Sequence, residues 1–167
     1  CSLELIGQAL DGLGRLFEWT GNLSGGVSAF AAVAEDARYA VSLPARRIQA
    51  HALAWLAYFE TLSGNTERAK QDLERSVAIL DDLAAAGRDT RHEKALALLH
   101  WGHLELPRNL ESAVRVYSQS SKLFAEIGHK WEGATARMWL GEAQREIGRI
   151  AEATELLHQA LAVFEDY

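Results

Sequence analysis

The sequence predicts an all-α chain of tandem helix-turn-helix units, about four of them, with eight helices in all. Three observations lead there. Good helix formers (Ala, Leu, Glu and Arg) dominate, and only two prolines, Pro44 and Pro107, occur in 167 residues. Apolar residues recur at helical spacing, as in Ile48, His51-Ala52, Trp55-Leu56 and Phe59, with no long alternating β-branched run. A spaced pair of small residues then repeats four times along the chain.

The pair is Gly14 and Gly26, Ala57 and Ala69, Gly102 and Ala113, and Gly141 and Ala153, with separations of 12, 12, 11 and 12 residues. In the first helix of each unit the small residue follows a large apolar one: Leu13, Leu56, Trp101 or Leu140. Two antiparallel helices approach to about 8–10 Å only where the crossing side chains are small. Large residues stand one turn beyond the second member, at Phe30, Leu73, Tyr117 and Leu157, and fill the layer around the crossing. Three residues further on come Val33, Ser76, Ser120 and Ala160, small or medium, where the next unit is expected to dock.

The elements follow in order. Leu3–Trp19 is a first helix that stops at Gly21-Asn22, and Ser24–Val41 is its partner. Ala45–Leu62 begins after Pro44 and ends at Gly64-Asn65, where glycine and asparagine tolerate the left-handed conformation that stops a helix. Asn65 or Thr66 can cap the following helix, Thr66–Ala86. Arg91–Leu106 ends at Pro107, and Asn109 precedes Leu110–Ile127. Lys130–Ile147 stops at Gly148 and leads to Ala151–Glu165. The units run over about 3–43, 45–90, 91–129 and 130–167, as one domain.

The stretch Trp139-Leu140-Gly141-Glu142-Ala143, then Glu146-Ile147-Gly148-Arg149, then Glu152-Ala153, resembles the tetratricopeptide repeat signature. Leu53 through Leu56-Ala57, Leu62-Ser63-Gly64-Asn65 and Ala69 form a similar set. The likeness covers essentially the whole chain. The third unit departs from it at Pro107 and Asn109, and the first at Gly25-Gly26. The resemblance implies a right-handed α-solenoid whose inner wall is built by the first helix of each pair. Between successive second-helix small residues the repeats measure 43, 44 and 40 residues, against about 34 for the family. Such elongated spacing is similar to the sensor and scaffold solenoids of large bacterial signalling ATPases and transcriptional activators, including those resembling the maltose-regulon activator.

Charge and composition exclude other classes. Seventeen basic and 23 acidic residues give a net charge of −6, interleaved along the chain, which argues against a nucleic-acid binder and against an anionic membrane surface. No apolar run reaches the ~18 residues of a membrane span. No secretory signal stands at the N-terminus, and a single cysteine, Cys1, calls for no oxidising compartment, so cytoplasmic residence is expected. Starting at Cys1 without an initiator methionine, the chain reads as a piece of something longer.

No constellation required by a reaction stands out, and neither enzyme activity nor a cofactor is expected. Cys1 lacks a neighbouring base, and Gly21–Gly26 lacks the Gly-Lys-Ser/Thr ending of a phosphate loop. His100 and His103 have metal-ligand spacing on one helix, but His92 and Glu105 do not share that face, so they read as polar aromatics lining a groove rather than a metal site. The remaining chemistry is recognition. Counted from the small residue, the inward rows are Asp11, Ala54, Leu99 and Met138; Gly12, Trp55, His100 and Trp139; and Arg15, Tyr58, His103 and Glu142.

The candidate binding residues are therefore Trp55, Tyr58, Leu99, His100, His103, Met138, Trp139 and Glu142, on a concave wall. Aromatics at this spacing more often belong to a core. Here Leu53, Leu56, Leu140 and Leu157 already occupy the core places, and Trp19, Trp101 and Trp131 are assigned to packing. Two function classes remain: a protein or peptide interaction module within a larger regulator, and a small-molecule sensor whose aromatics stack on a sugar-like ligand. A third expectation is that the C-terminal end, where Leu156, Leu157, Val163 and Phe164 cannot all face the preceding helix, contacts another copy of the chain or its continuation.

Overall fold

The computed structural model describes residues 3–39 and 42–166. The described residues are helical, with no strand, and form α1 (Leu3–Thr20), α2 (Leu23–Arg38), α3 (Leu43–Leu62), α4 (Thr66–Ala85), α5 (Arg91–Glu105), α6 (Leu110–Glu126), α7 (Lys130–Glu146) and α8 (Ile150–Glu165). These match the expected helices to within three residues at either end. Cys1 and the expected end of the second helix at Val41 lie outside the described residues.

Local chemistry accounts for the boundaries. The Asn22 side chain accepts from Gly25 N–H and Asn109 from Ser112 N–H, each satisfying a donor that the first turn leaves open. Asn65, expected as a cap, stands at that position but makes no side-chain cap bond. The third helix starts two residues earlier than expected, because Ser42 Oγ accepts from Ala45 N–H and Pro44 is accommodated in the first turn, where no intrahelical donor is needed. Gly64 and Gly148 take φ of +81° and +84°, which closes the turns after α3 and α7.

The chain divides into two compact units, Cys1–Glu93 and Lys94–Tyr167, and the division falls within α5. In the first unit α2 packs on α3, α3 on α4, and α1 touches both α2 and α3. The central α3 is buried without interruption from Gln49 to Glu60, so every face of that stretch meets protein. Phe30, Leu53, Phe59, Leu73, Leu80 and Leu83 form the core around it. In the second unit α6 packs on α7 and α7 on α8, around Leu104, Tyr117, Phe124, Ala136 and Ala143.

Two expectations about packing are corrected in detail. Ser76 and Ser120, read as docking places for the next unit, are fully buried and point back into their own helix pairs. Ser76 Oγ donates to Ala50 O and Ser120 Oγ to Ala95 O, both at 2.7 Å. The Gly14–Gly26 pair does not serve to bring α1 against α2. A Cβ on Gly14 would lie 2.5 Å from the Trp55 ring and one on Gly26 2.7 Å from the Phe59 ring, so both glycines make room for aromatics of α3. At the other end of the chain the small residue does what its spacing implies: a Cβ on Gly141 would meet Leu157 at 3.0 Å and the Ala153 carbonyl at 3.2 Å.

Candidate functional site

The eight candidate wall residues fall into two groups. Trp55 and Tyr58 belong to the first unit, where α1 covers them. The Trp55 ring is stacked with Phe30 and Phe59, at centroid distances of 5.9 and 6.1 Å, and Trp55 as a whole is 4% exposed. Its indole N–H donates to Asp11 Oδ1 at 3.0 Å, and His51 Nε2 lies 2.7 Å from the same oxygen. His92 Nε2 is 3.6 Å from Asp11 Oδ2. Burial alone would raise the Asp11 carboxyl, but the hydrogen bond and charge of His51, with His92 and Trp55, outweigh it and hold the group below the usual carboxylate range.

One turn along α3, the Tyr58 hydroxyl donates to Glu18 Oε1 at 2.5 Å. Burial first, and then the Glu18 carboxylate, push the phenol well above its ordinary value. Trp55 and Tyr58 were expected to be surplus to the core. The structure places them inside it, because α1 lies over α3 and supplies a carboxylate to the polar tip of each ring.

In the second unit Leu99 and His100 are also buried, whereas His103, Met138, Trp139 and Glu142 keep part of their surface. Trp139 on α7 stands edge-on to His103 at 4.8 Å and is stacked over Tyr117 at 6.5 Å. Tyr117, fully buried on α6, places its hydroxyl 2.9 Å from His103 Nδ1. Gly102 admits this arrangement, since a Cβ there would lie 2.1 Å from the tyrosine ring. Burial pushes the His103 imidazole down to about 4, so the ring is neutral at pH 7. Glu142, one turn past Met138, accepts from Arg145 through both oxygens, with Nε at 3.1 Å.

The ring contacts bring the Trp139 indole and the neutral His103 imidazole together over Tyr117, while the Met138 thioether and the Glu142 carboxylate are neighbours of Trp139 along α7 and are likewise partly exposed. The chemistry of this second group suits recognition. The His100 and His103 rings lie 6.0 Å apart, and among the described residues no group of three or more His, Cys, Asp or Glu side chains is gathered as a metal-binding set. No described helix is long and apolar enough to cross a membrane.

Other assignments change. Trp19, expected to pack, is 81% exposed, and Trp131 is also exposed, although its ring reaches Phe164 at 4.7 Å. On α8 the four expected apolar residues are all half-buried, and the exposed ones are Ile150 and Leu161. Sequence reasoning missed the placing of Glu18 at the Tyr58 hydroxyl and the burial of Glu60. The first stands two turns after Asp11, facing an aromatic pair three residues apart. The second is a lone acid at the end of the long apolar run of α3. No model of a known protein family matches the chain, and no curated protein matches its sequence closely enough to show kinship.

Proposed function

We propose that this chain is a non-catalytic protein- or peptide-interaction module, built as a right-handed α-solenoid of tetratricopeptide-like repeats and serving as the regulatory or scaffold part of a larger bacterial regulator in the cytoplasm. The observation that carries the reading is the partly exposed patch of Trp139, Met138, His103 and Glu142, held by buried Tyr117. A pre-positioned aromatic loses little freedom when a partner covers it, and such anchors dominate binding energies. The surface takes an amphipathic helix or extended segment, with apolar side chains on Trp139 and Met138 and a donor on Glu142. The net charge of −6 supports a protein partner rather than a nucleic acid or an anionic membrane. Exposed Ile150 and Leu161 on α8 support self-association at the C-terminal end. The half-buried indole beside a carboxylate also favours the second reading, a sensor of sugar-like ligands stacked on Trp139.

A peptide array together with a carbohydrate thermal-shift panel separates the two readings. Peptides that bind are expected to lose roughly 2 kcal/mol of affinity with Trp139→Ala, about 30-fold. Saccharide binding without peptide binding would transfer the conclusion to the sensor. Peptide affinity unchanged in a folded Trp139→Ala, Met138→Ala double variant would refute the patch.

A further inference from the structure

A separate feature lies in the first unit, on α2, α3 and α4, and does not depend on the patch described above. Between these helices is a cleft of about 320 Å³. Ala31 of α2 and Leu53 and Leu56 of α3 supply the apolar part of its lining, the floor. One wall carries Glu60, whose side chain is 4% exposed. Glu60 Oε2 is buried and has no hydrogen-bond partner, while Oε1 faces the Nε of solvent-exposed Arg68 at 3.9 Å, beyond hydrogen-bonding reach, and the Asp72 carboxyl stands close enough to Glu60 to share a proton with it. An acceptor left without a donor away from water costs free energy that an incoming donor would recover.

The groups facing Glu60 set the sign of that donor. From α4 come Asp72, paired with Arg75 at 3.2 Å, and the rim side chain Arg68. From α2 comes Glu35, which pairs with Arg38 at 3.4 Å and accepts from the Tyr39 hydroxyl at 2.8 Å. Three carboxyl groups therefore border the cleft, in a chain that is acidic as a whole. An anion is disfavoured there, and a cation on an aliphatic stem matches both the floor and the wall. The volume lies at the low end for ligand sites, the size of a side chain rather than of a folded segment. Between ammonium and guanidinium, the latter sheds water more readily, and its planar fork can serve Glu60 and Asp72 together.

We propose that this cleft is a socket for one alkylguanidinium, the side chain of an arginine presented by a partner polypeptide. The stem lies over Ala31, Leu53 and Leu56, and the guanidinium donates to Glu60. Burial, and after it the neighbouring Asp72 charge, raise the Glu60 carboxyl to about 7. Close to half of the population is therefore protonated at neutral pH. Cation binding favours the carboxylate, and the displaced proton passes to the buffer.

Titration calorimetry on the full chain tests this, with agmatine as the minimal probe and a capped Ala-Arg-Ala tripeptide as the polypeptide probe, each in phosphate and in Tris at pH 7. The expected result is saturable binding of both, at least tenfold tighter for the tripeptide. About half a proton should be released per site, and affinity should fall at least tenfold from pH 8 to pH 5. Glu60→Gln, which keeps the shape, should weaken binding at least tenfold and abolish the proton release. Asp72→Asn should weaken it less, and Arg68→Ala should leave it intact or tighten it. Absence of saturable binding by either probe at 10 mM, on the order of the weakest affinity worth assigning, would overturn the proposal. So would equal binding by a folded Glu60→Gln variant. Agmatine binding more tightly than the tripeptide would overturn the polypeptide source.

Discussion

Replacing Trp55 by alanine separates a core residue from a binding residue, and the structure sets the expected size of the effect. The indole is buried, its ring is stacked with Phe30 and Phe59, and it lies directly on the backbone of Gly14. Removing a buried aromatic costs about 3–5 kcal/mol, because the transfer energy is lost and a cavity remains. Gly14 has no side chain to collapse into the space, which places the expected loss in the upper half of that range. Asp11 also loses the indole donor, although His51 stays on the same oxygen. Trp55→Phe isolates that part: the stacking survives and one hydrogen bond to a charged group is lost, worth roughly 1.5–3 kcal/mol. Urea unfolding followed by far-ultraviolet circular dichroism gives both numbers. The order of stability should be wild type, then Trp55→Phe, then Trp55→Ala. A Trp55→Ala midpoint corresponding to less than about 1 kcal/mol of loss would refute the buried assignment and restore Trp55 to the wall.

Two other outcomes follow from the same geometry. Gly102→Ala should destabilise by about 1–3 kcal/mol through overpacking against Tyr117, whereas Gly12→Ala, which meets nothing within 4 Å, should stabilise by roughly 0.5–1 kcal/mol; equal midpoints for the pair would contradict the close approach. The His103 imidazole, held at about 4 in the folded chain against an ordinary value near 6.5, binds fewer protons folded than unfolded between those pH values. Its contribution to stability is present above pH 6.5 and declines as pH falls towards 4, so His103→Gln should flatten that part of the stability profile measured by urea titration at stepped pH.

The sequence carried the helices well because their ends are written in short-range chemistry. Asn22, Asn109, Gly64 and Gly148 act on their own turns, and no distant residue is needed to interpret them. Of the eight grouped residues, only His103, Met138, Trp139 and Glu142 keep part of their surface exposed. Helical periodicity states which residues share a face, and Trp55, Tyr58, His103 and Trp139 were grouped accordingly. It does not state which neighbouring helix covers that face. In the first unit α1 lies over α3 with Asp11 and Glu18 at the ring tips, which turns Trp55 and Tyr58 into interior residues. Glu60 was invisible for a related reason: a single acid at a helix end reads as solvated until the helices around it are known.

The buried serines have a consequence for how such a chain tolerates being cut or lengthened. Ser76 and Ser120 each tie the second helix of a pair to the first, over sequence distances of 26 and 25 residues. A break or insertion inside α3–α4 or α5–α6 would strand a hydroxyl in the interior. A junction placed between those pairs leaves both hydroxyls served. Within each of these pairs the hydroxyl thus marks two helices that must travel together.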